Sequence, residues 1–191
     1  MQEMTEIRWH ARAGQGAVTA SKLLAETALL AGNYIQAMPE YGPERTGAPL
    51  RAYTRISPVP IEVHNNITNP SVVVVLDETL LPIVDVLEGI DDNGTVIINT
   101  KLGVDEARTA LNAPAGVKVA VVDATGIALD TLKRDLPNTP VVGALAHVTG
   151  SVTVEALKEN LLETFGHKFA QEVVDGNLTS VDRAVSEVRI G

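Results

Sequence analysis

The chain has 191 residues, a formal net charge of −9 and no cysteine. The missing thiols exclude disulfides, cysteine zinc sites, a cysteine nucleophile and any iron–sulfur cluster held by this chain, and the acidic balance argues against binding to nucleic acid. Hydrophobic residues make up 45% of the chain and no apolar run approaches the ~20 residues of a membrane span, so we expect a soluble, cytoplasmic single domain over residues 1–191.

The N-terminal part of the chain alternates strand, helix and two strands. Residues 6–10 predict a strand, and a glycine turn then leads into a helix over 17–31, where apolar residues recur at helical spacing. Two further strands are predicted at 34–38 and 50–56, separated by a loop, 39–49, that contains three prolines and two glycines. This order is typical of the start of an α/β fold.

The middle of the chain continues the alternation. Strands are predicted at 71–76, 95–99 and 117–122, and helices at 78–88, 105–111 and 124–134. The strands are continuous runs of valine and isoleucine, which indicates that both faces are covered, as in parallel sheets. The predicted fold class is therefore α/β, an open, mostly parallel Rossmann-like sheet with flanking helices.

The C-terminal ~50 residues show helical periodicity alone. An apolar helix follows Asn138, another begins at 153–157, and a third is predicted at 177–188. Leu161, Phe165 and Phe169 are spaced by four residues and would lie on one helical face. We expect a helical C-terminal layer, part of whose apolar surface is core and part interface.

The first candidate site is the turn that contains Gly14, Gln15 and Gly16. A glycine turn between a strand and a helix presents free N–H groups at the positive end of the helix dipole, which favours a phosphate. The dinucleotide pattern fails because its third glycine position is Thr19, and the lysine of a P-loop is absent. From the residues alone, a phosphate site and a purely structural turn both stay open.

The second candidate site is the loop 39–49, in which Arg45 could clamp a phosphate or carboxylate. The alternative is a surface or interface loop with a Glu44–Arg45 charge pair. Residues 1–55 carry six basic and five acidic groups, a net +1, whereas 56–191 carry nine and 19, a net −10. An anionic ligand would therefore meet the least repulsion near the N-terminus.

Weaker candidates lie further along the chain. Asn99 and Lys101 close a predicted strand, where they would face the same crevice or simply cap the strand, and Asn138 would begin a helix. Asp77 and Asp123 follow strands and are expected to cap the next helix. Four histidines show no metal-ligand spacing and are expected to be structural: His10, His64, His147 and His167.

Two segments together resemble a known family. Residues 7–20 read Ile-Arg-Trp-His-Ala-Arg-Ala-Gly-Gln-Gly-Ala-Val-Thr-Ala, and 41–49 read Tyr-Gly-Pro-Glu-Arg-Thr-Gly-Ala-Pro. Both resemble the gamma subunit of 2-oxoacid:ferredoxin oxidoreductases, most closely the pyruvate type, and 70–76, 94–100 and 143–150 match in the same order. The family usually reads G-R-G-G-Q-G in the turn, whereas this chain has alanine at 11 and 13.

The resemblance implies an oxidative decarboxylation in which the 2-oxoacid reacts on thiamine diphosphate and coenzyme A takes the acyl group. Electrons pass to iron–sulfur clusters and then to ferredoxin. It implies that alpha-, beta- and delta-type partner subunits hold the thiamine diphosphate, magnesium and clusters, and that this chain alone is inactive. This chain would help to bind coenzyme A, through residues carried over by motif position: Gly14, Gln15, Gly16, Arg45, Asn99, Lys101 and Asn138.

Alternatives stay open at this point. The 2-oxoacid could be 2-oxoisovalerate or indolepyruvate, since these enzymes share the scaffold. The chain could also be a purely structural assembly module. An NAD(P)-dependent dehydrogenase is disfavoured by Thr19 and by the lack of an acidic residue that closes the second strand convincingly.

Overall fold

The structure is a computed structural model, and it describes residues 4–40 and 47–191. Its strands are β1 (Thr5–Arg12), β2 (Tyr34–Pro39), β3 (Pro49–Ser57), β4 (Val72–Val75), β5 (Thr95–Asn99), β6 (Lys118–Val122) and β7 (Arg189–Ile190). Its helices are α1 (Ala17–Leu30), α2 (Val104–Leu111), α3 (Ala124–Leu132), α4 (Asn138–Thr149), α5 (Val154–Gly166) and α6 (Gln171–Glu187).

The strands form one seven-stranded sheet in the order β2-β3-β1-β4-β5-β6-β7. The central strands β1, β4, β5 and β6 are parallel, whereas β3 and β7 run antiparallel to their neighbours. All four residues of β4 are buried valines, as expected for a strand covered on both faces. The mostly parallel α/β sheet predicted from the sequence is confirmed.

The two faces of the sheet are covered unequally. One face packs against α1 and α4, and α5 and α6 pack on α1, α3 and α4, in one large core that includes Trp9, Leu145 and Leu157. The other face has a smaller core, covered by α2 and by the irregular segment 77–94. The predicted helical C-terminal layer therefore covers a single face of the sheet.

Three local predictions are wrong. The helix predicted at 78–88 is only a 3₁₀ turn, Glu78–Leu80, followed by further turns. Pro82 lacks the N–H that a helix would use there, and the Asp85 carboxylate accepts a hydrogen bond from the Leu87 N–H over 3.1 Å. Helix α6 begins six residues before the predicted 177, and the two-residue strand β7 is too short to leave a pattern in the sequence.

In the part of the chain that the structure describes, no helix is both long and apolar enough to cross a membrane.

Candidate functional site

The glycine turn between β1 and α1 needs left-handed backbone at two positions. Gly14 has a φ of +102° and Gly16 a φ of +84°, which residues with a Cβ rarely adopt. No group among the described residues accepts a hydrogen bond from the N–H of either glycine. With respect to the described residues, the turn therefore presents unbonded backbone donors at the N-terminus of α1, the arrangement that favours an anion.

The two motifs found in the sequence meet at this turn. The Ala13 N–H donates to the Ala48 carbonyl over 2.9 Å, and the Gly47 N–H donates to the Ala13 carbonyl over 3.2 Å. Gly47 directly follows the segment 41–46, which includes Arg45 and lies outside the described residues. The C-terminal end of the second motif is thus hydrogen-bonded to the glycine turn of the first motif. The role of Arg45 stays a prediction.

Arg12 holds this junction to the 3₁₀ turn that follows β4. Its guanidinium donates to the Gly47 carbonyl over 3.0 Å and to the Thr79 hydroxyl over 2.9 Å, and it lies 3.3 Å from the Asp77 carboxylate. The turn, the end of the second motif and the start of segment 77–94 are therefore joined by one side chain.

Gln15 is committed to the same network. Its amide nitrogen donates to Asp77 over 2.6 Å, and its amide oxygen accepts from the Arg12 N–H over 2.8 Å. Burial acts to raise the pKa of Asp77, but hydrogen bonds from Thr79 and Gln15 and the charge of Arg12 hold that pKa below its usual value. The carboxylate is therefore ionised and the Gln15 amide fixed in one orientation.

A cleft of about 260 Å³ lies at the carboxyl ends of the parallel strands, next to the turn. It brings together Gln15, Asn99 and Lys101 of the predicted site residues. Its other charged lining residues are all acidic: Asp77, Glu78, Asp123 and Asp135. One cation among four carboxylates makes the cleft itself a poor environment for phosphate.

Asn99 is fully used in joining two elements. Its amide nitrogen donates to the Leu76 carbonyl and to the Thr125 hydroxyl, each over 2.9 Å. Its amide oxygen accepts from the Thr125 N–H over 3.1 Å. Lys101, by contrast, is exposed and makes no ion pair with a described residue. Of these two predicted residues, Lys101 is the one whose polar group is available to a ligand.

Asn138 lies on the other side of the turn. It is the first residue of α4, and a Cβ built on Gly16 would lie 3.2 Å from the Asn138 Cβ and Cγ atoms. Its side chain lines a second cavity, of about 530 Å³, between the ends of α3, α4, α5 and α6. Asn138 therefore lies next to the turn but does not line the cleft that Gln15, Asn99 and Lys101 line.

A buried pair of basic side chains on β1, just before the turn, was not predicted. The Arg8 Nε donates to the His10 Nε2 over 3.1 Å, and Arg8 also donates to the carbonyls of Val86 and Glu88. Burial, with the charges of Arg8 and Arg51, lowers the pKa of His10 to about 3. His10 is thus neutral, in agreement with the structural role expected for it.

Both predicted capping residues cap the element that follows them, Asp123 the helix α3 and Asp77 a 3₁₀ turn in place of the predicted helix. Asp77 accepts from the Thr79 N–H over 2.9 Å, and Asp123 accepts from the Gly126 N–H over 2.8 Å. Within residues 4–40 and 47–191, no three histidine or acidic side chains come together in a way that could hold a metal ion.

Comparison with known proteins gives one consistent result. Residues 6–187 match the model of the family described as pyruvate ferredoxin/flavodoxin oxidoreductase. The chain is 50% identical over 186 residues to the pyruvate synthase subunit PorC of Thermotoga maritima. This match covers 96% of this chain and 94% of that protein. It is 49% identical over 162 residues to the pyruvate/ketoisovalerate oxidoreductases common subunit gamma of Thermococcus kodakarensis, with coverages of 85% and 87%.

A solved structure agrees over the full length. The crystal structure of the pyruvate oxidoreductase subunit PORC of Thermotoga maritima superposes with a TM-score of 0.87 at 46% identity. The match covers 100% of this chain and 99% of that one. Sequence and fold therefore lead to the same group of relatives.

Proposed function

Because the chain belongs to the pyruvate ferredoxin/flavodoxin oxidoreductase family, we propose that it is the gamma-type subunit of a pyruvate:ferredoxin oxidoreductase complex. The complex would convert pyruvate, coenzyme A and oxidised ferredoxin to acetyl-coenzyme A, CO₂ and reduced ferredoxin. One relative is named a common subunit of pyruvate and ketoisovalerate enzymes, which supports 2-oxoisovalerate as a second substrate class.

Within that complex, this chain would help to bind coenzyme A. The observation that carries this proposal is the turn itself, where the N–H groups of Gly14 and Gly16 are free among the described residues and the second motif is hydrogen-bonded alongside. Coenzyme A carries a pyrophosphate and a 3′-phosphate, which suit backbone donors at a helix N-terminus. Lys101 and Asn138 flank the turn on its two sides and would contribute a cation and an amide.

Gln15 and Asn99 would act as positioning residues in this proposal. The side-chain amide of each residue is hydrogen-bonded within the chain. The Gln15 amide donates to Asp77, and the Asn99 amide donates to Leu76 and Thr125. They set the backbone of the turn and of the strand ends, so that the groups which meet the ligand are held in place.

The remaining chemistry would belong to partner subunits. This chain has no cysteine, so the iron–sulfur clusters would be held elsewhere, as would thiamine diphosphate and its magnesium ion. Thiamine diphosphate supplies the carbanion chemistry of decarboxylation when it is bound. The contribution of this chain is to hold the acceptor thiol of coenzyme A in reach of that centre.

Steady-state kinetics of the assembled complex test the coenzyme A role. Lys101→Ala should raise the KM for coenzyme A about fivefold, since an exposed ion pair is worth about 1 kcal/mol, and should leave the KM for pyruvate unchanged. Lys118→Ala is the matched control, because Lys118 is exposed at the start of β6, at the opposite end of the parallel strands. Asn138→Ala probes the other side of the turn.

An unchanged KM for coenzyme A in both Lys101→Ala and Asn138→Ala would contradict the binding role. If the complex nevertheless assembles with full activity, the chain is an assembly module with no part in binding coenzyme A.

A further inference from the structure

Strand β2 is an open edge of the sheet that carries no charge. It stands first in the strand order, so β3 is its single neighbour in the described sheet. Its residues, Tyr-Ile-Gln-Ala-Met-Pro, pair one to one with β3, and no bulge interrupts them. Edge strands commonly carry charges or bulges that keep other strands away, and the opposite edge, β7, has only two residues, one of them Arg189. β2 is therefore the edge that offers room for another strand.

The backbone groups of β2 that point away from the sheet belong to Ile35, Ala37 and Pro39. The Glu40 N–H donates to the Arg51 carbonyl over 3.1 Å, in continuation of the β2–β3 register. Because hydrogen-bonded residues alternate along an antiparallel strand, every second residue before Glu40 also bonds to β3 and the residues between them face outwards. Within residues 4–40 and 47–191, none of these outward groups has a hydrogen-bond partner.

These outward groups are self-complementary about a two-fold axis through Gln36. In that register Ile35 of one copy faces Ala37 of the other, and the two residues exchange both backbone hydrogen bonds. Pro39, which has no N–H, then faces Asn33, whose N–H is already bonded within its own copy. The ladder ends there without the loss of a donor. A shift of the register by two residues would instead place Pro39 opposite Ile35 and leave the Ile35 carbonyl unpaired.

The side chains around the edge suit the same register. Tyr34 is 48% exposed and would meet Met38 of the other copy, a favourable contact between sulfur and an aromatic ring. Leu29 and Leu30 end α1 just before β2 and are 55% and 63% exposed, so apolar surface adjoins the edge. The whole chain carries a net charge of −9 and would repel a copy of itself, whereas β2 meets no like charge in this pairing.

We propose that two copies of this chain pair antiparallel through β2, which joins their two seven-stranded sheets into one continuous sheet across a two-fold axis. The occupant of the edge is a second copy because one symmetry operation matches the donors, the acceptors, the proline and the uncharged side chains at the same time. This inference goes beyond the proposed function and does not depend on how coenzyme A is bound.

Introduced cysteines test the register, because the chain has none of its own. Gln36 would face itself across the axis as a non-hydrogen-bonded pair, with Cα atoms about 4.5 Å apart, which is within the span of a disulfide. With oxidised glutathione, Gln36→Cys should therefore give a covalent dimer of this chain, both in the purified chain and in the assembled complex.

Tyr34→Cys is the matched control. Its two copies would lie about 13 Å apart along the strands, so it should cross-link only at a background rate. The double variant Tyr34→Cys/Met38→Cys should cross-link readily, because each thiol then faces the other kind across the axis. This double variant also keeps Gln36, whose amide oxygen accepts a hydrogen bond from Arg55 over 3.0 Å, so it tests the register without disturbing that contact.

A proline on the edge measures the contribution of the backbone bonds. Ala37→Pro removes an outward N–H and leaves the bonds to β3 in place. Each copy in a dimer then loses one donor, so the dissociation constant of the purified chain, measured by sedimentation, should rise about tenfold or more. Ala37→Ser, which keeps the N–H, should dimerise like the unmodified chain.

Two results would overturn the inference. The first is a purified chain that sediments as a monomer at every concentration, with Gln36→Cys and the double variant cross-linking no faster than Tyr34→Cys. The second is cross-linking of Gln36→Cys to a partner subunit in the assembled complex, which would assign the edge to that subunit. Neither result bears on the KM for coenzyme A in Lys101→Ala, so the proposed function stands or falls separately.

Discussion

The Nε of Arg8 donates a hydrogen bond to the Nε2 of His10 over 3.1 Å, and neither residue is more than 2% exposed. Because Nε2 accepts, the imidazole is neutral and carries its proton on Nδ1. Arg8 is held in turn by the carbonyls of Val86 and Glu88. A titratable ring thus lies buried in β1, just before the glycine turn, in a place that cannot accept a second proton without losing this bond.

Replacement of His10 should change how stability depends on pH. The unfolded chain protonates His10 near pH 6.5, whereas the folded protein keeps it neutral to about pH 3. The unfolded state binds the extra proton in between, so the free energy of unfolding falls by about 1.4 kcal/mol for each pH unit of acidification across that window. In His10→Gln, which retains an acceptor for Arg8, urea unfolding between about pH 4 and about pH 6 should show a slope shallower by one proton. An unchanged slope would contradict the buried neutral state, and His147→Gln, which alters an exposed ring, is the control.

Gly16 and Gly32 allow the cost of a close contact to be separated from the cost of backbone strain. Their φ angles are +84° and +85°, but only Gly16 has a neighbour within 4 Å of an added Cβ, the Asn138 side chain. Both alanine variants should lose about 1–2 kcal/mol from left-handed backbone, and Gly16→Ala should lose about 1 kcal/mol more from overpacking. Urea unfolding midpoints at constant m-value measure the difference in unfolding free energy between the two variants. Equal losses would mean that the Asn138 side chain moves aside without cost.

Asn99→Asp should destabilise the fold in a pH-dependent way. The new carboxylate could accept from the Thr125 N–H but could not donate to the Leu76 carbonyl, which would leave a buried acceptor facing a negative charge. We expect a loss of about 1–3 kcal/mol at neutral pH. Burial raises the pKa of such a carboxyl, so acidification should restore part of the stability as the group becomes a donor. Thermal unfolding at several pH values is the measurement, with Asn66→Asp, at an exposed site, as the control. A loss of stability that does not depend on pH would contradict the role of the Asn99 amide as a donor.

Arg45→Ala should raise the KM for coenzyme A in the assembled complex. A charge-assisted hydrogen bond to phosphate is worth roughly 1.5–3 kcal/mol, or about 10- to 150-fold in affinity. The KM for the 2-oxoacid should change little, since decarboxylation precedes acyl transfer, and Arg45→Lys should recover part of the loss. Lower activity at every coenzyme A concentration with an unchanged KM would instead place Arg45 at a subunit interface.

The purified chain alone should not oxidise pyruvate. It has no cysteine for a cluster and none of the motif that binds thiamine diphosphate. Pyruvate-dependent dye reduction, assayed with thiamine diphosphate and coenzyme A present, should stay at background until partner subunits are added. Turnover by the lone chain would refute its assignment as an accessory subunit.

Elements governed by local pattern could be predicted from the sequence. Strand β5 has the bounds predicted for it, and α1 and α2 differ from prediction by one residue at one end, because periodicity and glycine breakers act over short distances. Segment 78–88 has helical apolar spacing, yet Pro82 offers no N–H and the Asp85 side chain competes for the N–H of Leu87. Periodicity alone does not register that competition.

The candidate site could be predicted from the sequence only as a set of residues, whose binding roles stay predictions. The spacing of motifs indicated the turn, Asn99, Lys101 and Asn138, and the sheet topology does place all of them around the turn. Which polar groups are free could not be predicted, because that depends on partners distant in sequence. Gln15 loses its amide to Asp77, 62 positions away, and Arg8 meets Val86 across 78 positions.

The unequal covering of the sheet has a consequence for biosynthesis. Asn160 of α5 donates to Thr27 of α1 across 133 positions, so the large core is completed only when the last helices emerge from the ribosome. Until then the nascent polypeptide displays the apolar surfaces of α1, α3 and α4 on which α5 and α6 pack. Contacts of such sequence separation form late and slowly, which leaves the unfinished chain open to aggregation. Ribosome-bound intermediates that end before residue 154 should therefore bind holdase chaperones strongly, and release should follow the addition of α5 and α6.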